Sequence, residues 1–422
     1  MELNLFRREK ENINIVIVGH VDHGKSTLIG RLIFDTRSLP DEKIEEVKKI
    51  SRDLGQRFEF AFLLDQLQEE RENYMTIDTT QVFFQTRKRR YVIIDAPGHA
   101  EFIKNMITGA TQAEVAVLIV DAKEGLKEQT KRHAYLVSML NLEKLVVVIN
   151  KMDLVNFSQG IFNQVKGELT QFLNHIKLSA SYFIPISAKN GDNVLRRSRR
   201  MAWYRGPTLL KALDSLALES QEKDRPLRFS VQDVYTIDGE KIIVGRVESG
   251  VIKRGESVFL FPALKEKEVK SIRVFNQYKE TAKEGENIGI TLNEPVFVQR
   301  GNIICQGKNL PKLMYKFNSS VFWMSSEPLR VKQKVIVRCA TQELVSYVER
   351  IEKRINSSSL EVLEDKAEQI NLNEVAQVTF KNDAPLVLEE FHFIEELGRI
   401  VIEDKSTGNI QGAGIVKFLD KI

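Results

Sequence analysis

The chain has 422 residues, a formal net charge of +4, and apolar and charged fractions of 42% and 28%. These values are typical of an ordinary globular protein that is long enough for two or three domains. So small a net charge gives no support by itself for binding to nucleic acid or to a membrane, and we expect neither DNA nor a membrane as a partner. The two cysteines, Cys305 and Cys339, lack the spacing of a disulfide framework or a zinc site, so we interpret them as core residues in a reduced cytoplasm.

The N-terminal segment Met1 to Glu11 is charged rather than apolar, which argues against a signal peptide. No apolar run in the sequence approaches the ~18 residues needed to cross a bilayer. We therefore expect a cytoplasmic protein.

The first predicted element is an apolar strand over residues 13–18, which leads into a glycine-rich turn and then an amphipathic helix. The turn has the spacing of a phosphate-binding loop in its required strand-to-helix context. We assign nucleotide binding to the whole turn: Gly19, His20, Val21, Asp22, His23, Gly24, Lys25, Ser26 and Thr27.

The residue types in this loop explain the prediction. Gly19 and Gly24 allow backbone dihedrals that let successive N–H groups point at phosphate oxygens, assisted by the positive end of the following helix. The Lys25 ammonium would reach the β- and γ-phosphates, and the Ser26 hydroxyl would be a ligand of Mg2+.

Further apolar strands are predicted downstream, with helical patterns between most of them. Because several are apolar throughout, as in strands covered on both faces, we expect a doubly wound α/β domain with a mostly parallel sheet over residues 1–218. A helical pattern over residues 44–54 marks a long insertion that is a candidate switch region. The basic run Arg87 to Arg90 is predicted to form a solvated hairpin turn. The strands are predicted at 13–18, 81–86, 91–95, 115–121, 145–150 and 182–186.

After residue 218 the pattern changes to short alternating strands separated by turns that contain glycine. This pattern predicts two β-barrel domains, over residues 225–308 and 312–422. A helical or irregular patch is expected around residues 358–369.

Residues 95–98, Asp-Ala-Pro-Gly, follow a predicted strand. In such folds ligands bind at the carboxyl ends of the strands. Asp95 is therefore placed to hold Mg2+ through water, and the N–H of Gly98 to meet the γ-phosphate, with Pro97 between them.

Residues 150–153, Asn-Lys-Met-Asp, follow another apolar strand. The Asp153 carboxylate can accept hydrogen bonds from the N1–H and 2-amino groups of guanine, whereas adenine lacks that pair of donors. Asn150 would brace neighbouring loops and the Lys151 stem would cover the purine. In the sequence Ser187-Ala188-Lys189, the Ala188 N–H is predicted to meet the guanine 6-oxo group. The ligand is therefore predicted to be GTP, and we include Ser187 and Lys189 in its site.

These motifs, followed by two β-barrels, resemble the translational GTPases of the elongation factor Tu type over practically the whole chain. Within that superfamily the chain looks closest to the GTPase large subunit of sulfate adenylyltransferase, including its fusions with adenylyl-sulfate kinase. The stretches similar to that subunit are residues 60–65, 191–194, 203–210, 360–366, 372–375 and 408–416.

The resemblance implies further roles at matching positions. His99 would orient the attacking water, and Thr76 would close over Mg2+ and the γ-phosphate. Val21 and Met75 would form an apolar gate that screens His99. The catalytic residues implied are thus His99, Lys25, Val21 and Thr76, and the Mg2+ ligands Ser26, Thr76 and Asp95.

The chain departs from the family pattern in two places. Tyr74 occupies a position where the family usually has glycine, in a loop that must rearrange. We expect GTP binding to survive this change, whereas the rate and switching of hydrolysis do not follow from the family pattern. His20 and His23 match translation factors and the fused forms, whereas many separate sulfate-activating subunits carry a different pair.

Five arginines surround Trp203 and Tyr204 within residues 196–205. Such a segment could contact nucleic acid or a partner by stacking. The interpretation we favour is a segment that packs its aromatic side chains against the GTPase domain.

The resemblance favours the large subunit of sulfate adenylyltransferase, which would couple GTP hydrolysis to adenylyl sulfate synthesis on a separate small subunit. The alternative is a translation factor that carries aminoacyl-tRNA, with tRNA as its partner. A third hypothesis, which rests on Tyr74, is a GTP-dependent scaffold with little turnover.

Overall fold

The computed structural model describes residues 11–40, 42, 44–46, 49, 60–63, 81–94, 113–139, 142, 144–217, 225–237, 239–274, 277–307 and 309–418. The chain divides into two compact units, Met1–Leu218 and Glu219–Ile422. Several predicted site residues lie outside the described residues: Tyr74, Met75, Thr76, Asp95, Pro97, Gly98 and His99.

In the part of the first unit that the structure describes, six strands form one sheet in the order β2-β3-β1-β4-β5-β6. Strands β3, β1, β4, β5 and β6 are parallel, and β2 pairs antiparallel with β3 at the edge. Every residue of β4 and β5 is buried, as expected of central strands covered on both faces. The strands are β1 Glu11–Gly19, β2 Gln81–Gln85, β3 Arg89–Ile94, β4 Val115–Asp121, β5 Leu145–Asn150 and β6 Ala180–Pro185.

The helices of this unit begin at positions that the sequence marks clearly. Ser158 and Thr208 lie at the N-termini of two of them, and each side-chain oxygen accepts a hydrogen bond from a backbone N–H of the first turn. Residues 42, 44–46 and 49 of the long insertion are helical. The helices are α1 Lys25–Asp35, α2 Glu128–Met139, α3 Gln159–His175 and α4 Leu209–Ser215, with a short 3-10 helix at Met152–Val155.

The basic run between β2 and β3 differs slightly from its predicted position. Arg87 and Lys88 form the exposed turn, whereas Arg89 and Arg90 belong to β3. The Arg89 guanidinium donates to the carbonyl oxygens of Leu213 and Leu216, so it ties the hairpin to the C-terminal end of α4.

The second unit contains two β-barrels within its described residues. In each, a sheet closes because its first and sixth strands also pair, β10 with β11 and β18 with β19. The first barrel has β7 Arg228–Ile237, β8 Glu240–Ser249, β9 Val251–Lys253, β10 Ser257–Phe261, β11 Lys265–Val274, β12 Gln277–Lys279, β13 Thr281–Lys283, β14 Asn287–Leu292 and β15 Ile303–Cys305. The second has β16 Lys312–Trp323, β17 Leu329–Arg330, β18 Lys334–Cys339, β19 Gln342–Asn356, β20 Val362–Glu364, β21 Gln369–Ile370, β22 Glu374–Leu388, α5 Glu395–Gly398, β23 Arg399–Glu403 and β24 Ile410–Phe418.

The two barrels share buried side chains. Phe261, Ile303 and Cys305 of the first barrel belong to the same apolar cluster as Cys339 and the core of the second. Both cysteines are free, and burial raises the pKa of each thiol to about 12. The patch at 358–369 is irregular rather than helical and includes the short strand β20.

The predicted fold class, an α/β P-loop domain followed by two β-barrels, is therefore confirmed. The exact boundaries at 218, 225–308 and 312–422 stay predictions. Within the described ranges, no helix has the length and apolar character needed to cross a membrane.

Candidate nucleotide-binding site

The loop that joins β1 to α1 is shaped by close contact with β4. A Cβ atom at Gly19 would lie 2.4 Å from the carbonyl oxygen of Ile119, so a larger residue could not fit there. Gly24 has φ 92°, in the left-handed region that glycine adopts without strain. The loop therefore turns tightly into α1, whose first N–H groups have no partner within the helix and favour an anion.

The Lys25 side chain folds back along this loop. Its ammonium donates to the carbonyl oxygens of Gly19, at 2.9 Å, and His20, at 3.0 Å. The ammonium group is thereby held at the phosphate loop, where it can bind phosphate oxygens. Ser26 and Thr27 follow in the first turn of α1 and are half-buried.

The two histidines of the loop lie in different surroundings. His23 is fully buried, and its Nδ1 lies 3.4 Å from the carbonyl oxygen of Ile119. Burial lowers the pKa of the His23 imidazole, which favours the neutral form. Its ring packs edge-on against that of His20, which contacts Gln129. The His23 side chain therefore packs under the loop against β4. Only the backbone of His23, not its side chain, can make the predicted contact with nucleotide.

The side chains of Val21 and Asp22 are exposed on the outer side of the loop. Val21 is 56% exposed, which leaves it free to serve as one half of the predicted apolar gate. The other half, Met75, lies outside the described residues.

Asn150 joins the phosphate loop to the loop after β6. Its carboxamide nitrogen donates to the carbonyl oxygen of His23 at 2.9 Å, and its carboxamide oxygen accepts from the N–H of Ala188 at 2.9 Å. A Cβ atom at Gly24 would lie 2.5 Å from the same nitrogen. The expected bracing by Asn150 is thus seen in these contacts. The Ala188 N–H, predicted to meet guanine, donates to Asn150 instead because the carboxamide oxygen points at this loop.

Asp153 and Ser187 lie at the ends of neighbouring strands. The Ser187 hydroxyl donates to a carboxylate oxygen of Asp153 at 2.6 Å, and Ser187 is fully buried. The N–H of Met152 donates to the carbonyl oxygen of Ile186 at 3.1 Å, which holds the two turns together. The carboxylate is therefore oriented before any base arrives. Lys189 is exposed beside it.

Sequence reasoning missed one charged residue of the site. Asp121 ends β4, and its carboxylate lies 2.8 Å from the Lys151 ammonium. Burial raises the pKa of Asp121, but the hydrogen bonds from Lys151 and from backbone N–H groups outweigh that effect, so the pKa lies below its ordinary value. The signal available was the same as at Asp95, an acidic residue at the carboxyl end of an apolar strand.

The Asp121–Lys151 pair fixes the direction of the Lys151 stem. Lys151 has φ 58° and immediately precedes the 3-10 helix, so the backbone turns there and directs the stem towards β4. An apolar stem held this way can cover the face of a purine while its charge stays paired.

Ser26 is the one proposed Mg2+ ligand within the described residues, since Thr76 and Asp95 lie outside them. A hydroxyl oxygen suits this cation, which takes few protein ligands and completes its shell with phosphates and water. Bound Mg2+ would neutralise charge on the phosphates, while Lys25 and the N-terminus of α1 hold their oxygens.

The fold and these contacts define a P-loop GTPase with two β-barrels. Residues 10–219 match the family described as Elongation factor Tu GTP binding domain, residues 240–305 Elongation factor Tu domain 2, and residues 316–417 GTP-eEF1A C-terminal domain-like. The chain belongs to the elongation factor Tu and elongation factor 1-alpha family of translational GTPases. GTP with Mg2+ is its ligand, as predicted.

Two relatives illustrate the extent of the similarity. The chain is 39% identical to Elongation factor 1-alpha of Picrophilus torridus over 94% of this chain and 96% of that protein. It is 38% identical to Elongation factor 1-alpha of Archaeoglobus fulgidus over 97% of this chain and 98% of that protein. A crystal structure of sup35 complexed with GDP covers 100% of this chain and 98% of its own, at 24% identity and a TM-score of 0.45.

The wider resemblance seen in the sequence, to translational GTPases, is therefore confirmed. The narrower expectation of a sulfate adenylyltransferase subunit gains no support from these relatives, which carry the name Elongation factor 1-alpha. The short stretches that suggested it are outweighed by identity along nearly the full chain.

Proposed function

We propose that the protein carries aminoacyl-tRNA in its GTP-bound form and releases it after GTP hydrolysis. The observation that carries this proposal is the identity of 36–39% to proteins named Elongation factor 1-alpha over at least 94% of the chain. The braced guanine site supports the GTP-dependent part of it, and the resemblance described above supplies the RNA partner.

The remaining site residues enter the proposal through the resemblance. His99 orients the attacking water, while Asp95, Pro97 and Gly98 approach Mg2+ and the γ-phosphate. Thr76 closes over them, and Val21 with Met75 screens His99 until the partner is in place.

Retention of radiolabelled aminoacyl-tRNA on nitrocellulose tests the proposal. We expect retention with a non-hydrolysable GTP analogue, little with GDP, and none of the deacylated tRNA. Lys25→Ala should abolish it through loss of nucleotide binding. Lys211→Ala removes an exposed lysine of α4 and should retain wild-type behaviour.

Two results would overturn the proposal. One is equal retention with GDP and the GTP analogue. The other is co-purification with a small adenylyltransferase subunit together with GTP-stimulated, sulfate-dependent release of pyrophosphate, which would restore the sulfate-activation hypothesis.

Single-turnover hydrolysis at an ordinary rate would exclude the scaffold hypothesis based on Tyr74.

A further inference from the structure

A second charged site lies in the first unit, at the opposite end of α1 from the phosphate loop. We call it the arginine cleft, and its charged lining comprises Arg31, Arg37, Arg196, Arg197, Arg199 and Arg200 with Asp35, Glu45 and Asp192. The cleft has a volume of about 690 Å3. Because a helix rises 1.5 Å per residue, Lys25 and Asp35 at the two ends of α1 are about 15 Å apart.

The positive charge of the cleft exceeds its negative charge. Six arginines and three carboxylates line it in the described part of the chain, whereas the net charge of all 422 residues is only +4. Within the cleft, Asp35 pairs with Arg31 at 2.9 Å and Asp192 with Arg200 at 3.6 Å.

The other arginines have no carboxylate partner within 4 Å among the described residues. Arg197 donates to the carbonyl oxygens of Arg205 and Gly206, at 2.9 and 3.1 Å. Arg196 and Arg199 are exposed. Like charges that line one cleft repel each other, and an anion in the cleft would relieve that repulsion.

The backbone that carries these arginines is held in place. Buried Asn193 donates to the carbonyl oxygen of Pro185 at 2.9 Å and accepts from the N–H of Ser198 at 2.8 Å. The Ser198 hydroxyl donates to Asp192 at 2.6 Å. The arginines are therefore presented by a preorganised loop, which reduces the entropy lost on binding.

The neighbouring aromatic side chains, Trp203 and Tyr204, do not line the cleft but pack against other residues of the unit. Trp203 donates its indole N–H to the carbonyl oxygen of Phe157 at 3.0 Å and packs 5.3 Å from the ring of Phe162. Tyr204 donates to the carbonyl oxygen of Pro207 at 3.1 Å, and burial raises the pKa of its phenol to about 12. Neither ring is presented as a stacking platform for bases, so the packing interpretation of this segment describes the aromatics but leaves the arginines unexplained.

We propose that the arginine cleft binds the phosphate backbone of RNA without reading its bases. Guanidinium groups match phosphate oxygens with paired hydrogen bonds. Contacts to the backbone alone give affinity that is independent of sequence and dependent on salt. The cleft adjoins the guanine turns, since Arg31 donates to the carbonyl oxygen of Lys189 at 3.4 Å. The proposal does not depend on whether the protein carries aminoacyl-tRNA.

The test compares two double variants of the full chain loaded with GDP. Arg196→Gln/Arg199→Gln removes two charges from the cleft, and Arg87→Gln/Lys88→Gln removes two exposed charges from the β2–β3 turn of the same unit. The probes are fluorescein-labelled oligo(U) and oligo(A) of twelve nucleotides, titrated by anisotropy between 50 and 200 mM salt. Unchanged affinity for GDP in both variants shows that the domain is intact.

We expect the cleft variant to bind RNA at least tenfold more weakly than wild type at 50 mM salt. Its slope of log K against log salt should be shallower by about 1.4, since each lost phosphate contact contributes about 0.7 with single strands. The turn variant should match wild type, and the two oligonucleotides should bind within threefold of each other. Equal binding by cleft and turn variants would overturn the proposal.

Chemical modification of the wild-type protein locates the site independently. Bound RNA should protect Arg196 and Arg199 from phenylglyoxal, as measured by mass spectrometry of peptides. Inorganic tripolyphosphate and poly-L-glutamate are the competing anions. If either protects these arginines as well as RNA does at equal charge concentration, the ligand is a small polyphosphate or an acidic protein, and the RNA proposal fails.

Discussion

The Ser187 hydroxyl donates to a carboxylate oxygen of Asp153 at 2.6 Å and so joins the two turns assigned to the guanine base. Ser187 is fully buried, and Asp153 lies in the first turn of the 3-10 helix after β5. A carboxylate that is already oriented loses less freedom when the base binds.

Removal of this hydroxyl should weaken GTP binding without unfolding the domain. We expect Ser187→Ala to lower affinity for GTP and GDP about tenfold, since one hydrogen bond to a charged group contributes roughly 1.5 kcal/mol. Isothermal titration calorimetry measures both affinities. Thr86→Val is the matched control, because the Thr86 hydroxyl also donates to an aspartate, Asp214, at 2.8 Å, but at the β2–β3 turn rather than at the guanine turns. Equal loss in both variants would argue against a role for Ser187 in the guanine site.

Strand positions in the first unit were predictable because their physical cause is local. Runs such as 115–121 and 145–150 are apolar at every position except the last, a pattern typical of a strand that is covered on both faces, and the structure has β4 and β5 at those residues. The phosphate loop was predictable for a similar reason, since Gly24 adopts a φ that its sequence motif anticipates.

Contacts between distant residues were not predictable from spacing. Lys151 and Asp121 are 30 positions apart, and only the parallel pairing of β4 with β5 brings their side chains within 2.8 Å. Likewise, the position of His23 within the loop motif does not indicate that its ring is fully buried against Ile119. Such contacts depend on which strands are neighbours in the sheet. The residue pattern of one strand does not show which strands lie beside it.

The tight contact at Gly24 predicts a specific loss of nucleotide binding. Gly24→Ala would place a Cβ atom 2.5 Å from the Asn150 carboxamide nitrogen at a φ of 92°, so both the loop and the brace must shift. We expect nucleotide affinity to fall at least a hundredfold, as measured with a fluorescent GDP analogue. Gly167→Ala, in the interior of α3 with open space around it, should leave affinity unchanged and raise stability by about 0.5–1 kcal/mol. Full affinity in Gly24→Ala would contradict this account of the loop.

The buried pair of Arg228 and Glu389 links the two barrels of the second unit. Arg228 is fully buried, and burial raises the pKa of Glu389, an effect that Arg228 only partly offsets. Arg228→Met leaves an uncompensated carboxylate and should cost about 3–5 kcal/mol at pH 7. Because this carboxyl can protonate, the cost should be smaller at pH 5.

Urea unfolding followed by Trp323 fluorescence, in a Trp203→Phe background, measures this cost because Trp323 is fully buried in the second barrel. The double variant Arg228→Met/Glu389→Leu removes both charges and should recover most of the loss. A double variant that is no more stable than Arg228→Met would show that packing rather than charge causes the loss.

Glu248 gives the second unit a stability that depends on pH. Burial, together with the nearby Glu396 and Glu284 carboxyls, raises its pKa from 4.5 to about 7, and the Arg246 guanidinium 3.7 Å away only partly offsets this shift. The folded state therefore holds a proton that the unfolded state has lost. This stability is fully present below about pH 4.5 and is lost as pH rises through about 7. Because the Glu248 side chain is only 11% exposed, solvent screens this effect little. A pKa shift of this size therefore corresponds to about 3 kcal/mol of unfolding free energy.

Glu248→Gln should remove this dependence, because the amide does not titrate. In the same Trp323 assay, we expect the unfolding free energy of wild type to fall between pH 5 and pH 8 by more than that of the variant. The variant will keep a residual slope, since burial also raises the pKa values of Glu389, Glu395 and Glu396. Glu280→Gln, which changes an exposed carboxylate of the same barrel, should reproduce the wild-type slope. If Glu248→Gln also matches the wild-type slope, the carboxyl is ionised in the folded protein throughout this range and its pKa is not raised.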